Sequence, residues 1–196
     1  MTSARLLIAS NSPRRRDLLA AAGFVFTTRS PEVDERVDAD LTLREITALN
    51  ATRKGLAVAR AAPRNVVLAA DTLVAFEGEV IGKPADLGEA RRILRRLSGQ
   101  THEVCSGVFI CHYALRRSVL LHEVSRVRFR ALTDEAIASY FRKINPLDKA
   151  GAYGAQEEGA EIIEEIEGSV TNVIGLPMEK TVEALAGFGV RPVENP

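Results

Sequence analysis

The run Ser10-Asn11-Ser12-Pro13-Arg14-Arg15-Arg16 carries three guanidinium groups in what reads as the first turn of a helix. Helix starts favour acidic side chains, because the free amides and the backbone dipole already make that end positive. An anion held by those amides and the guanidinium forks removes the conflict, and phosphate is the natural occupant. The competing reading is a solvated basic turn, and the run alone does not separate the two. Asp71-Thr72 is a second such place. It interrupts the apolar runs Val66-Val67-Leu68-Ala69-Ala70 and Leu73-Val74-Ala75-Phe76. A carboxylate there is costly to bury without a cation or hydrogen-bond donors. It fits a catalytic carboxylate at the carboxyl end of a strand, where open α/β sheets hold ligands, or an aspartate in a tight turn.

Two further segments could serve an anionic ligand. In Gly82-Lys83-Pro84 the proline restricts Lys83 to an extended backbone, which suits a point contact on phosphate. In Asp148-Lys149-Ala150-Gly151-Ala152-Tyr153-Gly154-Ala155-Gln156, small residues surround one ring and one amide. That allows close approach of backbone to a ligand, or simply a tightly packed loop. Four carboxylates, Glu32, Asp34, Glu35 and Asp38, fall in one polar loop, which composition reads as solvated rather than metal-facing. Arg53 and Lys54 read as surface groups of a helix. His102, Cys105, Cys111 and His112 invite a zinc reading, but adjacent strand residues point to opposite faces, so Cys111 and His112 do not share an ion easily. They read as core and surface residues.

The elements that must carry these groups follow from periodicity and turn chemistry. A strand is expected at residues 6–9, a helix from 13 to 22 with Ser12 as its N-cap and Gly23 as its stop, and a strand at 24–28. Thr42-Leu43-Arg44-Glu45 is a capping box that opens a long helix ending at Ala62-Pro63. A helix over 87–97 carries Arg91, Arg92, Arg95 and Arg96 on a solvated or subunit-facing side. Residues 101–113 and 118–131 read as a hairpin, Thr133 opens another helix, 161–167 and 169–176 read as a strand pair turning at Gly168, and Pro177 starts the last helix.

At 196 residues, with 46% hydrophobic and 27% charged side chains, the chain reads as one soluble domain or two merged lobes. The balance of 26 basic against 26 acidic residues argues against a protein that coats nucleic acid. Two cysteines point to a reducing compartment, no apolar span is long enough for a membrane, and the N-terminal apolar patch is too short for a signal peptide. A cytoplasmic protein is expected. There is no internal repeat, low-complexity tract or interdomain linker.

Taken together, Ser10-Asn11-Ser12-Pro13-Arg14-Arg15, Ala70-Asp71-Thr72, Gly82-Lys83-Pro84 and Asp148-Lys149-Ala150-Gly151-Ala152-Tyr153-Gly154 resemble the Maf family of nucleoside triphosphate pyrophosphatases. Ser98-Gly99-Gln100-Thr101-His102 and Val173-Ile174-Gly175-Leu176-Pro177 fit the same family. The resemblance covers nearly the whole chain, in the family's order and spacing. It implies a Maf/ITPase-like α/β fold over residues 1–196: a mixed twisted sheet flanked by helices, in two merged lobes around a central cleft. It also implies a homodimer, a nucleoside triphosphate as substrate, a divalent cation (Mg2+ or Mn2+), no stable complex with nucleic acid and no membrane.

The residue roles implied by the resemblance are specific. Asp71 is the proton acceptor, and with Glu35 it approaches the metal. Arg14, Arg15, Lys54 and Lys83 face the phosphates, and Ser10, Thr72, Lys149 and Gln156 complete the substrate contacts. Arg14, Thr72 and Gln156 bear on base choice. Arginine at position 14 and glutamine at 156 resemble the dTTP/UTP branch, whereas tryptophan and glutamate mark the 7-methyl-GTP branch. A glutamine amide accepts from N3–H of uracil or thymine and donates to a carbonyl. Glu157-Glu158 after Gln156, and Ser169-Val170-Thr171-Asn172, depart from the dTTP/UTP pattern, which leaves a modified pyrimidine, 7-methyl-GTP or a broad substrate range as alternatives. A nucleotide-binding regulator of septum formation is the non-enzymatic alternative.

Overall fold

The fold is described by a computed structural model covering residues 5–38, 40–156 and 158–193. Glu157, one of the two residues noted above as departing from the branch pattern, lies outside the described residues. Seven strands, β1 (Leu6–Ala9), β2 (Phe26–Arg29), β3 (Val66–Phe76), β4 (Glu79–Ile81), β5 (Thr101–His112), β6 (Arg117–Phe129) and β7 (Ile163–Glu167), form one mixed sheet in the order β2-β1-β3-β5-β6-β7, with β4 paired to β3. The chain divides into two compact units, and β3, β5 and β6 each run from one into the other. The first comprises residues 1–71, 106–123 and 175–196; the second comprises residues 72–105 and 124–174.

In the first unit β1 (Leu6–Ala9) lies parallel to both β2 (Phe26–Arg29) and β3 (Val66–Phe76). A central parallel strand is covered on both faces, which is why β1 is apolar throughout and fully buried. Alternation divides its side chains. Leu6 and Ile8, with Val66, Leu68 and Ala70 of β3, enter one core shared with α1 (Pro13–Ala21) and α7 (Met178–Gly187). Leu7 and Ala9, with Val67 and Ala69, enter the opposite core against α2 (Leu43–Ala61). Asp71 is the next odd-numbered residue of β3, so strand periodicity aims it at α2.

The helix starts follow the local chemistry unevenly. At α2 the capping box forms in full: the Thr42 hydroxyl accepts from the Glu45 amide, and the Glu45 carboxylate accepts from the Thr42 amide. At α1 Ser12 occupies the N-cap position, but its side chain makes no capping bond; instead its own amide donates to Ser10 Oγ at 3.1 Å. Two glycines let α2 lie close to β5 (Thr101–His112). A Cβ on Gly107 would stand 2.7 Å from the Thr47 carbonyl, and one on Gly55 would stand 2.5 Å from the Phe109 ring.

In the second unit β4 (Glu79–Ile81) runs antiparallel to the end of β3, and α3 (Leu87–Leu97) buries Ala90, Leu94 and Leu97. Those residues join Phe129 of β6 (Arg117–Phe129), Ile137 and Tyr140 of α4 (Asp134–Phe141), and Tyr153 in one core. Two of the exposed arginines of α3 form ion pairs: Arg95 with Asp134, and Arg96 with Glu79 and Glu77.

Two expectations need correction. Val66 to Phe76 is one unbroken strand, so Asp71 sits inside it rather than at its end or in a turn. Residues 169–176 do not pair as a strand. A short helix α5 (Gly159–Ile162) leads into β7 (Ile163–Glu167), which pairs antiparallel with β6, and α6 (Val170–Ile174) follows as a helix. Ser169 accepts from the Asn172 amide, and the buried Asn172 side chain donates to Val104 O and Ser125 Oγ. These polar demands override the β-branched composition, because a buried amide left unpaired costs more than a weak strand preference contributes.

Candidate active site

Asp71 is 3% exposed, in the middle of a strand. Its two carboxylate oxygens have different partners. Oδ1 accepts from Lys54 Nζ at 2.7 Å, and Oδ2 accepts from Asn50 Nδ2 at 3.0 Å. Lys54 is itself 6% exposed, and its ammonium also reaches Glu35 Oε1 at 2.6 Å. One ammonium is thus shared by a buried carboxylate and one that faces solvent. Both side chains of α2 lie on its buried stripe, at the spacing Ile46, Asn50, Lys54, Val58. Lys54 is therefore not the surface group that its helix suggested. The acidic loop is likewise only partly solvated: Glu32, Asp34 and Asp38 are exposed, while Glu35 is tied to Lys54.

The start of α1 adds cationic charge to the same unit. Arg15 donates from Nε to Gly175 O at 2.8 Å and from a terminal nitrogen to Ser10 Oγ at 3.3 Å, and Ser10 is itself buried. Burial pulls the Arg15 guanidinium below its ordinary value, whereas Asp71 and Glu35 raise it and Arg14 lowers it. Asp71 and Glu35 thus belong to the field that Arg15 feels. Arg14 is half-buried, and Arg16 is exposed. The structure therefore ties Glu35 and Asp71 together through Lys54, and sets Arg15, bonded to Ser10, in the electrostatic field of both carboxylates. Asn50 joins them, and the motifs gave no sign of it. Its signal was a polar residue four positions before Lys54, on a helix stripe that should be apolar.

The other expected residues lie in the second unit. Thr72 follows Asp71 on β3, so strand alternation turns it to the opposite face. Lys83 is exposed beside buried Pro84, and Lys149 donates to Asn145 O and Asp148. Gln156 is half-buried, with its carbonyl accepting from the Gly159 amide. The irregular loop before it is held by two tyrosines. Tyr140 OH donates to Gly154 O and accepts from Gly154 N, and Tyr153 OH is 2.8 Å from His102 Nε2. His102, Phe129 and Tyr153 pack edge to face. Burial pushes His102 down to about 4, so it is a neutral ring at physiological pH, and burial raises the Tyr153 phenol. Cys105 and Cys111 are both buried, and burial pushes the Cys111 thiol up to about 11.

Among the described residues no group of three or more His, Cys, Asp or Glu side chains gathers as a metal-ligand set, and no helix is long and apolar enough to cross a membrane. Glu35 and Asp71 offer two hard oxygen donors within reach of one cation, Lys54 Nζ. Magnesium and manganese suit such a set, since Mg2+ is commonly held by one or two carboxylates with the remainder from phosphate and water.

The sequence matches the family described as Maf-like protein over residues 5–188. It is 45% identical to a dTTP/UTP pyrophosphatase of Symbiobacterium thermophilum, over 94% of each chain. It is 45% identical to one of Anaeromyxobacter dehalogenans over 98% of each, and 39% identical to one of Bacillus pumilus over 96% of this chain and 98% of that one.

Proposed function

From the premise that this chain belongs to the Maf-like family, we propose that it hydrolyses dTTP and UTP to the monophosphate and pyrophosphate, clearing these or modified pyrimidine triphosphates from the nucleotide pool. The observation that carries this reading is Asp71. A carboxylate buried inside a strand, held on one oxygen by Lys54 and on the other by Asn50, is oriented for proton transfer. Asp71 takes a proton from water as the water oxygen attacks the α-phosphorus. The bond from that phosphorus to the bridging oxygen of the β-phosphate breaks, and pyrophosphate leaves with the bond's electrons.

The remaining roles follow from charge. Arg14 and Arg15 grip the triphosphate at the start of α1 with Ser10, and Lys83 and Lys149 add point contacts. Lys54 holds Glu35 and Asp71 close without leaving two negative charges uncompensated. Glu35 and Asp71 would hold a divalent metal, Mg2+ or Mn2+. When bound it supplies positive charge to offset that of the triphosphate and the leaving group. Gln156 reads the N3–H and a carbonyl of the pyrimidine, with Arg14 and Thr72 contributing to base choice. The same reading takes the two units as one Maf-like domain that works in the cytoplasm as a homodimer and forms no stable complex with nucleic acid.

The test is a panel of dTTP, UTP, CTP and 7-methyl-GTP with Mg2+ or Mn2+, followed by product analysis. Pyrophosphate and monophosphate from dTTP and UTP are expected. Preferred turnover of 7-methyl-GTP would reassign the substrate, and orthophosphate as first product would move the cut to the γ position. Tight nucleotide binding without turnover would instead favour the septum regulator.

A further inference from the structure

Three residues on one face of α2 take hold of three consecutive residues of the acidic loop. Arg53 donates to Asp34 O at 3.1 Å, Lys54 pairs with Glu35, and Asn50 accepts from Arg36 N and donates to Arg36 O, both at 2.9 Å. The spacing 50, 53, 54 is that of neighbours on a helix surface. Asn50 differs from the other two because it also donates to Asp71 Oδ2. Both hydrogens of its amide are then used, one on the loop carbonyl and the other on the carboxylate, while the oxygen accepts from the loop amide. The orientation is unambiguous. The Arg36 amide only donates and so faces the Asn50 oxygen, while the Arg36 carbonyl only accepts and so faces the nitrogen, which also reaches Asp71 Oδ2. The side chain is 2% exposed, so these three bonds are made out of reach of water.

We propose that Asn50 is a positioning residue that sets the two carboxylates of the site together. Pairing with both backbone groups of Arg36 anchors the loop that presents Glu35, and the third bond fixes the rotation of the Asp71 carboxylate, leaving Oδ1 toward Lys54. The proposal rests on the pyrophosphatase reading only in assigning Asp71 the proton transfer. Anchoring of the loop stands independently of it.

The experiment compares the wild type with Asn50→Leu, which keeps approximate volume and removes all three bonds, and with Asn50→Asp, which keeps only the acceptor for Arg36 N. Steady-state kinetics on dTTP are paired with hydrogen exchange by mass spectrometry over residues 32–38. Asn50→Leu is expected to lower kcat about tenfold to a hundredfold with KM changed less than about threefold. Exchange over residues 32–38 should accelerate while residues 66–70 stay protected. Asn50→Asp is expected to lose kcat as severely yet retain part of the loop protection. Wild-type kcat in either variant, or a rise in KM with kcat unchanged, overturns the proposal. So does unaltered exchange in Asn50→Leu. If Asn50→Leu does not fold, Asn50→Asp carries the decision through the same two readouts. If the wild type turns over no triphosphate, the pyrophosphatase reading fails, and exchange over 32–38 alone decides whether Asn50 anchors the loop.

Discussion

Asp71 Oδ1 and Glu35 Oε1 meet at a single ammonium, and the three charges do not cancel. A buried carboxylate persists because Lys54 and Asn50 repay its desolvation, and removing either partner of a buried pair leaves an uncompensated charge. Asp71→Asn tests the chemistry more cleanly than truncation does. Its oxygen can still accept from Asn50, while its amide nitrogen replaces the acceptor that faced Lys54, which retains Glu35. The expected outcome is a fall in kcat of about 10²- to 10⁴-fold, the range typical of a lost general base. Binding of dTTP, measured by calorimetry, should be largely retained. Turnover at the wild-type rate would remove Asp71 from its role. The motifs pointed to Asp71 and Arg15, and the family resemblance to Glu35, but neither pointed to Asn50. A lone asparagine on a helix has no local partner that reveals its use.

At the scale of elements, α2 is what assembles this site. It supplies Asn50, Arg53 and Lys54, and its distance from the sheet is set by two glycines, its own Gly55 and Gly107 of β5. The two contacts differ in kind. At Gly107 an added Cβ meets backbone, the carbonyl carbon and oxygen of Thr47 at 2.7 Å, which cannot move without the helix. At Gly55 it meets the Phe109 ring, a side chain that can rotate or slide. Gly107→Ala should therefore destabilise by about 1–3 kcal/mol, as overpacking does, and Gly55→Ala by less. Urea melts give that order. Because Thr47 rides on the helix that holds Asn50 and Lys54, Gly107→Ala should also lower kcat under conditions where it is fully folded. The reverse order of stabilities would show that α2 is free to shift against β5.

For the molecule as a whole, 26 basic and 26 acidic residues leave no net charge at pH 7 to drive unfolding by self-repulsion, so near neutrality single buried groups shape the pH response. His102 is the clearest, with a folded value of about 4 against an ordinary 6.5 and one ring nitrogen buried without a partner. Between these values the unfolded chain binds more protons than the folded one. Stability from this group is thus complete above about pH 6.5 and is lost as pH falls through 6.5 toward 4. The loss reaches roughly 3 kcal/mol at the acid end. Other carboxylates titrate in the same range, so the measure is a difference: urea unfolding free energies at pH 7 and pH 5 for the wild type and for His102→Gln. A smaller pH slope in the variant is expected. Equal slopes would show that His102 is protonated in the fold at little cost.

The sequence by itself determined what short-range chemistry can specify. The capping box at Thr42 and Glu45, the α3 boundaries at 87 and 97, the short turn between the strands of the 101–131 hairpin and the glycine stop after α1 all depend on neighbours within a few residues. It also determined the family, because widely spaced motifs occur together in one order. Only the tertiary structure decided that Asp71 lies inside a strand, that residues 170–174 are helical, and that Lys54 is buried between two carboxylates. Each of these depends on a partner 17 or more residues away: Asp71 for Lys54, and Val104 or Ser125 for Asn172. A carboxylate or an amide is as soluble as it is buriable. Which of the two it becomes is settled by whether packing brings it a donor, and that information resides in the contact between α2 and β3 rather than in either segment alone.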